Sequence, residues 1–389
     1  MQLAERLKPL RRNVFADMDE AKALARAQGK DLIDLSLGSS DLAASDAIVD
    51  EISRSLQDKS THGYLLFQGT RDFRETVAQW YQQRYGLSVD PETEVLPLIG
   101  SQEGTAHLPL AILNPGDYAL LLDPGYPSHA GGVYLANGRL YGMPLRLENH
   151  FLPDFSTIPP DILGKARLMI LSYPHNPTTA TASLEFFQRA VQFCQEHHLV
   201  LAHDFPYADL VFSHQPAPSI LQADRDRTCS IEFFTLSKSY SMGGFRIGYA
   251  IGNPDLIAAL RRIKAVVDFN QYRGILNGAQ VALQQGQSAV EPIVQCFRQR
   301  QIYFLKALAQ MGWMVRPPAA TMYIWAALPP EWSHNSLGFS QALVAQTGVA
   351  VSPGAGFGAH GEGYIRFALV HDEAILGQAV DRIRTFLHT

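Results

Sequence analysis

Three cysteines in 389 residues are too few and too far apart for a disulfide framework. Cys194, Cys229 and Cys296 have neither metal nor redox spacing, and their odd number suits a reducing compartment. Charge is scarce as well. Asp, Glu, Lys and Arg make up 18% of the chain, and a net charge of −5 with a pI near 6.2 argues against a surface for nucleic acid or acidic membrane. No apolar run approaches the roughly 20 residues of a membrane span. The N-terminal stretch, with Glu5, Arg6, Lys8, Arg11 and Arg12, lacks a secretory apolar region, which leaves the cytoplasm as the default. Internal repeats, low-complexity tracts and flexible linkers are absent too.

Apolar material is plentiful: 47% of residues are hydrophobic, enough for a large core and two domains. From about residue 46 to 290, buried strands alternate with amphipathic helices such as 183–198, which predicts a mainly parallel sheet with crossover helices. Helical spacing continues through 292–311. Residues 312–389 then read as strands 322–328 and 364–370 with helices 337–346 and 372–387.

The chemistry gathers where apolar runs end. Phe233-Phe234-Thr235-Leu236-Ser237-Lys238 delivers one amine into small hydroxyl residues and glycines, with Arg246 eight positions later. This suits a Schiff-base lysine beside a phosphate: a lysine reacts when its surroundings favour the free amine, and hydroxyls plus a planar guanidinium bind phosphate. The run 199–204 ends in Asp204, at the carboxyl end of a strand where open α/β sheets bind ligands, and Tyr207 follows. The run 167–172 leads to Asn176 in a polar turn. Gly100-Ser101-Gln102-Glu103-Gly104 follows the apolar 95–99 and opens a helical run, so its amides can take a phosphate. Asp123-Pro124-Gly125-Tyr126-Pro127 ends another strand with an aromatic ring. Near the C-terminus, Arg366 interrupts the apolar strand 364–370, a costly place for a charge without a partner.

Taken in this order, the segments resemble the class I and II aminotransferases of the pyridoxal-phosphate enzymes, over nearly the whole chain, and look most like the LL-diaminopimelate and aspartate branch. The resemblance implies an α/β chain of fold type I. Residues 46–290 would form a large cofactor-binding domain with a mostly parallel seven-stranded sheet, and 1–45 with 291–389 a smaller α+β domain. It implies pyridoxal 5′-phosphate carried on Lys238, with Asp204 on the ring nitrogen and Asn176 and Tyr207 on the phenolic oxygen. Tyr126 would stack on the ring, and Ser101, Gln102, Thr235, Ser237 and Arg246 would hold the phosphate. Arg366, with Gly38 and Asn176, would receive the substrate's α-carboxylate. Tyr64, in a Tyr-Gly-Arg segment, would reach the phosphate of a partner subunit, making the active unit a homodimer with shared sites. Asn176–Pro177 is expected to be cis.

The expected reaction is ping-pong transfer of an amino group between amino acids and 2-oxo acids, with no metal, nucleic acid or membrane involved. β-Elimination (as in a C–S lyase) or decarboxylation on the same cofactor is the alternative, and a non-catalytic ligand sensor is a remote one, opposed by the short chain before Asp34. Gln102 is neutral where acidic-substrate and diaminopimelate relatives carry a lysine, so Arg273 is the candidate for reading a substrate's distal carboxylate. Two motifs are set aside. Gly356-Phe357-Gly358-Ala359-His360-Gly361 matches a dinucleotide fingerprint but precedes a strand rather than a helix, and His197, His198 and His203 read as helix-end and edge positions.

Overall fold

The computed structural model describes residues 3–10, 14–213 and 215–388, leaving Arg11 and Arg12 outside. Its largest sheet has seven strands, in the order Val95–Leu98, Gly248–Gly252, Ser230–Thr235, Val200–Asp204, Ala166–Leu171, Tyr118–Asp123 and Arg139–Pro144. The pairings from Ser230–Thr235 to Arg139–Pro144 are parallel, and only Gly248–Gly252 runs against both of its neighbours.

Why these runs are continuously apolar is plain from the packing. Successive side chains of a strand point to opposite faces, and both faces are covered. Leu120, Leu122, Met169, Leu171 and Phe234 join one core cluster, while Ala119, Leu121, Leu168, Ile170 and Phe233 join the other. Amphipathic crossovers supply the cover. The helix Leu184–Glu196 begins where the Ser183 hydroxyl accepts from Phe186 N at 3.2 Å, and it buries Phe186, Phe187, Ala190, Val191 and Cys194.

A second sheet pairs Ser352–Pro353, Tyr364–Ala368 and Tyr323–Ala327, all antiparallel, and Ile33–Asp34 lies parallel to Val349–Ala350. The helices Gln287–Gln310, Ser336–Thr347 and Glu373–Leu387 fall within a residue or a few of the expected spans. The fold is therefore α/β with a mostly parallel seven-stranded sheet. No helix among the described residues is long and apolar enough to cross a membrane.

The glycine-rich 356–361 segment forms short turns, Gly354–Phe357 and Ala359–Gly361, that lead into the strand Tyr364–Ala368. Gly358 has φ +137°, and a Cβ there would meet Asp123 Oδ1 at 2.1 Å. Its glycines serve this close packing. The edge assignment of His203 is overturned: it lies in an interior strand, fully buried, and its Nδ1 donates to Glu232 at 2.7 Å. Glu232 is satisfied by Tyr81 OH, Ser219 Oγ and Ile220 N as well, a complete buried polar network of the kind that fixes one packing arrangement.

Candidate active site

A cavity of about 560 Å³ opens at the carboxyl ends of the parallel strands. Every expected site residue lines it except Tyr64 and Arg273. Residues more than 300 positions apart meet here because strand ends, helix starts and the chain's N-terminal turn share one edge of the sheet.

Asp204 ends its strand with Oδ2 accepting from His129 Nε2 at 2.9 Å, while Oδ1 is buried and has no partner among the described residues. His129 itself is buried, one turn into the helix Pro127–Leu135, and its ring lies edge-on to Tyr126 at 5.7 Å. Beside it, Lys238 belongs to the single-turn helix Leu236–Ser239, which Thr235 caps by accepting from Ser237 N. The Lys238 amine donates to Gly38 O. Burial, helped by the nearby Arg366 and Arg246 cations and opposed by Tyr323, lowers its pKa, which shifts the balance toward the free amine.

The other strand ends form a cradle for an anion. Gly100, at φ +76°, precedes the helix Ser101–Ile112, and a Cβ there would meet Arg246 Nη2 at 2.6 Å. Glycine thus lets the guanidinium reach the helix N-terminus, whose amides favour negative charge. Thr235 and Ser237 hydroxyls lie 2.9 Å apart on the same wall. Gln102 accepts from Tyr126 OH at 3.5 Å. Beneath the cradle, Lys264 sits among Glu103, His107 and Asp268 and donates to both Glu103 oxygens at 3.0 and 2.9 Å. An ammonium therefore already pairs with both carboxylates of this cluster.

Arg366 is buried, yet all its hydrogen-bond partners are neutral: Asn176 Oδ1 and Ser36 O at 2.7 Å, and Ser352 Oγ at 3.2 Å. Its Nε has no partner among the described residues, and its guanidinium lies over the rings of Tyr323 at 4.1 Å and Phe357 at 4.8 Å. A buried cation whose partners among the described residues are all neutral has the chemistry to take a carboxylate. Asn176 is held in place by Arg366 and precedes a cis Asn176–Pro177 bond, as expected. Tyr207 donates to Tyr323 OH at 2.8 Å. Burial acts to raise the Tyr323 pKa, but Arg366 and Lys238 outweigh it and bring it below its ordinary value.

Taken together, the unpartnered Asp204 oxygen, the anion cradle, the amine and the guanidinium with only neutral partners fit one ligand set: an aromatic nitrogen heterocycle with a phosphate, and an amino acid beside it. The model of the family described as aminotransferase class I and II matches residues 30–383. The chain belongs to this family. Relatives agree over the full length. An LL-diaminopimelate aminotransferase of Syntrophobacter fumaroxidans is 40% identical across 98% of each chain, and one of Dehalococcoides mccartyi is 39% identical across 99% of each. Among solved structures, a probable N-succinyldiaminopimelate aminotransferase of Thermus thermophilus superposes with a TM-score of 0.90 at 41% identity, covering 96% of this chain and 99% of that one. Substrate-bound BacF of Bacillus subtilis gives 0.94 at 34% identity, covering 99% and 98%. This aminotransferase is an enzyme of the fold type I group and uses pyridoxal 5′-phosphate. The cofactor supplies an electron sink for the electrons left at the substrate's Cα.

Two residues of the aminotransferase site escaped the sequence reading. His129 carries no local signal beyond lying one turn after Tyr126. Tyr323 is hidden in an apolar strand, where it reads as core. Its register settles its place: Trp325 opposes Arg366 and Tyr323 opposes Ala368, so Tyr323 and Arg366 share one face of the sheet as diagonal neighbours.

Proposed function

We propose that this aminotransferase takes LL-diaminopimelate as its amino donor and passes the amino group to a 2-oxo acid such as 2-oxoglutarate. The observation that carries this reading is the full-length likeness, at about 40% identity, to proteins named for that substrate. Gln102 departs from the lysine that the resemblance leads one to expect at the cradle of a diaminopimelate enzyme, so a distal charge has to be met elsewhere in the cavity.

In this reading Arg366 grips the α-carboxylate, with Asn176 and the Gly38 turn as the adjoining wall. Lys238 Nζ would hold the cofactor and, once freed, would move the proton lost from Cα. Asp204, aligned by His129, would keep the ring nitrogen protonated. Asn176 and Tyr207 would donate to the ring's phenolic oxygen, and Tyr126 would cover the ring. Ser101, Gln102, Thr235, Ser237 and Arg246 would bind the phosphate. Tyr64 is 94% exposed and, like Arg273, lies outside this chain's cavity, which suits a homodimer in which both residues serve the partner's site. Residues 46–290 would act as the cofactor-bearing body and the two chain ends as the part that closes on it, in the cytoplasm.

The test is a matrix of donors, LL-diaminopimelate, its N-succinyl derivative, aspartate, alanine and glutamate, against 2-oxoglutarate, pyruvate and oxaloacetate. LL-diaminopimelate with 2-oxoglutarate should give the highest kcat/KM. Aspartate or alanine ahead by about tenfold, a preference of roughly 1.4 kcal/mol, overturns the assignment.

A further inference from the structure

Among the described residues lining the cavity, four are cationic: Lys22, Lys238, Arg246 and Arg366. Two are acidic, Asp19 and Asp204. The proposed chemistry engages Lys238, Arg246, Arg366 and Asp204, leaving one cation and one anion, Lys22 and Asp19, which lie side by side. We propose that this pair reads the far end of the donor, Lys22 taking a distal carboxylate and Asp19 a distal ammonium. The inference rests on the diaminopimelate reading and gives it a recognition site.

Both residues belong to the helix Val14–Ala27, in which Phe15, Met18, Asp19 and Lys22 follow helical spacing and face the cavity together. Phe15 packs edge-on against Phe357 at 5.2 Å, and Phe357 in turn lies on the Arg366 guanidinium, so the helix is seated on the carboxylate-binding wall. Lys22 is held: its side chain is only 14% exposed, and Nζ donates to Asp34 Oδ2 at 3.3 Å and Ser36 Oγ at 3.5 Å. Asp19 is 73% exposed, with only the Lys22 ion pair at 2.8 Å. With its carboxylate in solvent, such a pair is weak, and Asp19 can exchange Lys22 for another ammonium.

Ser36 sets the spacing. Its carbonyl accepts from Arg366 Nη2 at 2.7 Å while its hydroxyl accepts from Lys22 at 3.5 Å. One residue of backbone therefore separates the two cations, placing them within about 10 Å of each other. That is the reach of a donor with a carboxylate at each end. A zwitterionic far end meets both signs of the pair that faces the cavity, with Asp34 remaining behind Lys22, whereas a neutral chain would engage neither charge.

The experiment measures kcat/KM for four donors: LL-diaminopimelate, L-2-aminopimelate with a distal carboxylate alone, L-lysine with a distal ammonium alone, and L-norleucine with neither. Relative to norleucine, Lys22→Met should lower diaminopimelate and aminopimelate by roughly ten- to a hundredfold. Asp19→Asn should lower diaminopimelate and lysine instead. Dissociation constants of α-methylated donors, which bind but have no Cα proton to lose, should follow the same pattern in spectral titrations. Lys22→Arg keeps the charge and should keep the carboxylate ratios; if they fall as in Lys22→Met, packing rather than charge is responsible and the inference is overturned. A diaminopimelate preference unmoved by Lys22→Met and Asp19→Asn overturns this inference alone. Wild-type enzyme without any preference for diaminopimelate over norleucine overturns both it and the substrate reading.

Discussion

Asp204, Thr235 and Lys238 stand at the ends of strands buried on both faces, whereas Lys22 and Asp19 ride on a helix that buries only Met18 and Ala25. The floor of the cavity is therefore fixed by strands packed on both faces. Its rim is fixed by a small apolar cluster, Met18 and Ala25 against Val344 and Ala350, with a few ion pairs and the Phe15–Phe357 contact. In an aminotransferase this division separates two tasks: the floor must hold reacting groups to a fraction of an ångström, while the rim must tell donors apart and can differ between relatives without disturbing the floor.

The sharpest way to break the comparison is at the floor. Lys238→Ala should lower turnover on the order of 10⁴-fold or more, since a nucleophile and a proton-transfer group are lost at once. The same protein should still bind cofactor through the cradle, and borohydride reduction of the wild type should leave the cofactor mass on Lys238. Labelling at another lysine sinks the assignment.

Next in size is Arg366→Gln, which leaves the α-carboxylate without its bidentate partner. A loss of about 2–5 kcal/mol in kcat/KM is expected, shared by every amino donor because all carry that group. A loss confined to diaminopimelate would place Arg366 with the rim rather than the floor.

Tyr64→Phe tests whether the rim extends across a dimer. Cofactor binding should weaken by the worth of one hydrogen bond to a charged group, about 1.5–3 kcal/mol. A monomer with full activity at assay concentration contradicts it.

The smallest step per pH unit concerns stability behind the floor. Burial, with His129 adding to it, pushes His175 down to about 3, and its Nε2 has no partner among the described residues. As pH falls below 6.5 the unfolded chain takes up a proton that the folded chain refuses, so stability should drop by up to about 1.4 kcal/mol per pH unit until pH approaches 3. His175→Gln should flatten that slope in denaturant titrations between pH 6.5 and 5. An unchanged slope would show that other groups govern it.

The floor was legible in the sequence and most of the rim was not, for a physical reason. Lys238, Asp204, Asn176 and Ser101 each follow a continuous apolar run, and a buried strand in a parallel sheet both produces that run and ends at the ligand-binding edge. The alternation of strand and helix conveyed the sheet for the same reason. His129 and Tyr323 sit one helical turn or one strand register away from a legible residue, so only the assembled backbone brings them in. Lys22, Asp19, Asp34 and Ser36 look like ordinary surface polarity, and nothing local shows that Ser36 will meet Arg366, 330 positions away. His203 was misread because a histidine beside a helix end looks exposed; only Glu232, from the neighbouring strand, explains its burial.

The neutral partners of Arg366 bear on how a substrate arrives. Because Ser36 O and Asn176 Oδ1 already accept from the guanidinium, an incoming carboxylate competes with neutral acceptors, which are the weaker partners of a cation. The gain then comes from charge, so affinity should fade with rising ionic strength less than a surface pair would, the cation being sheltered beneath Tyr323 and Phe357. Ser36 belongs to the same turn that steadies Lys22. One residue thus touches both cations, and a donor stretched from Arg366 to Lys22 has the Ser36 turn as its ruler.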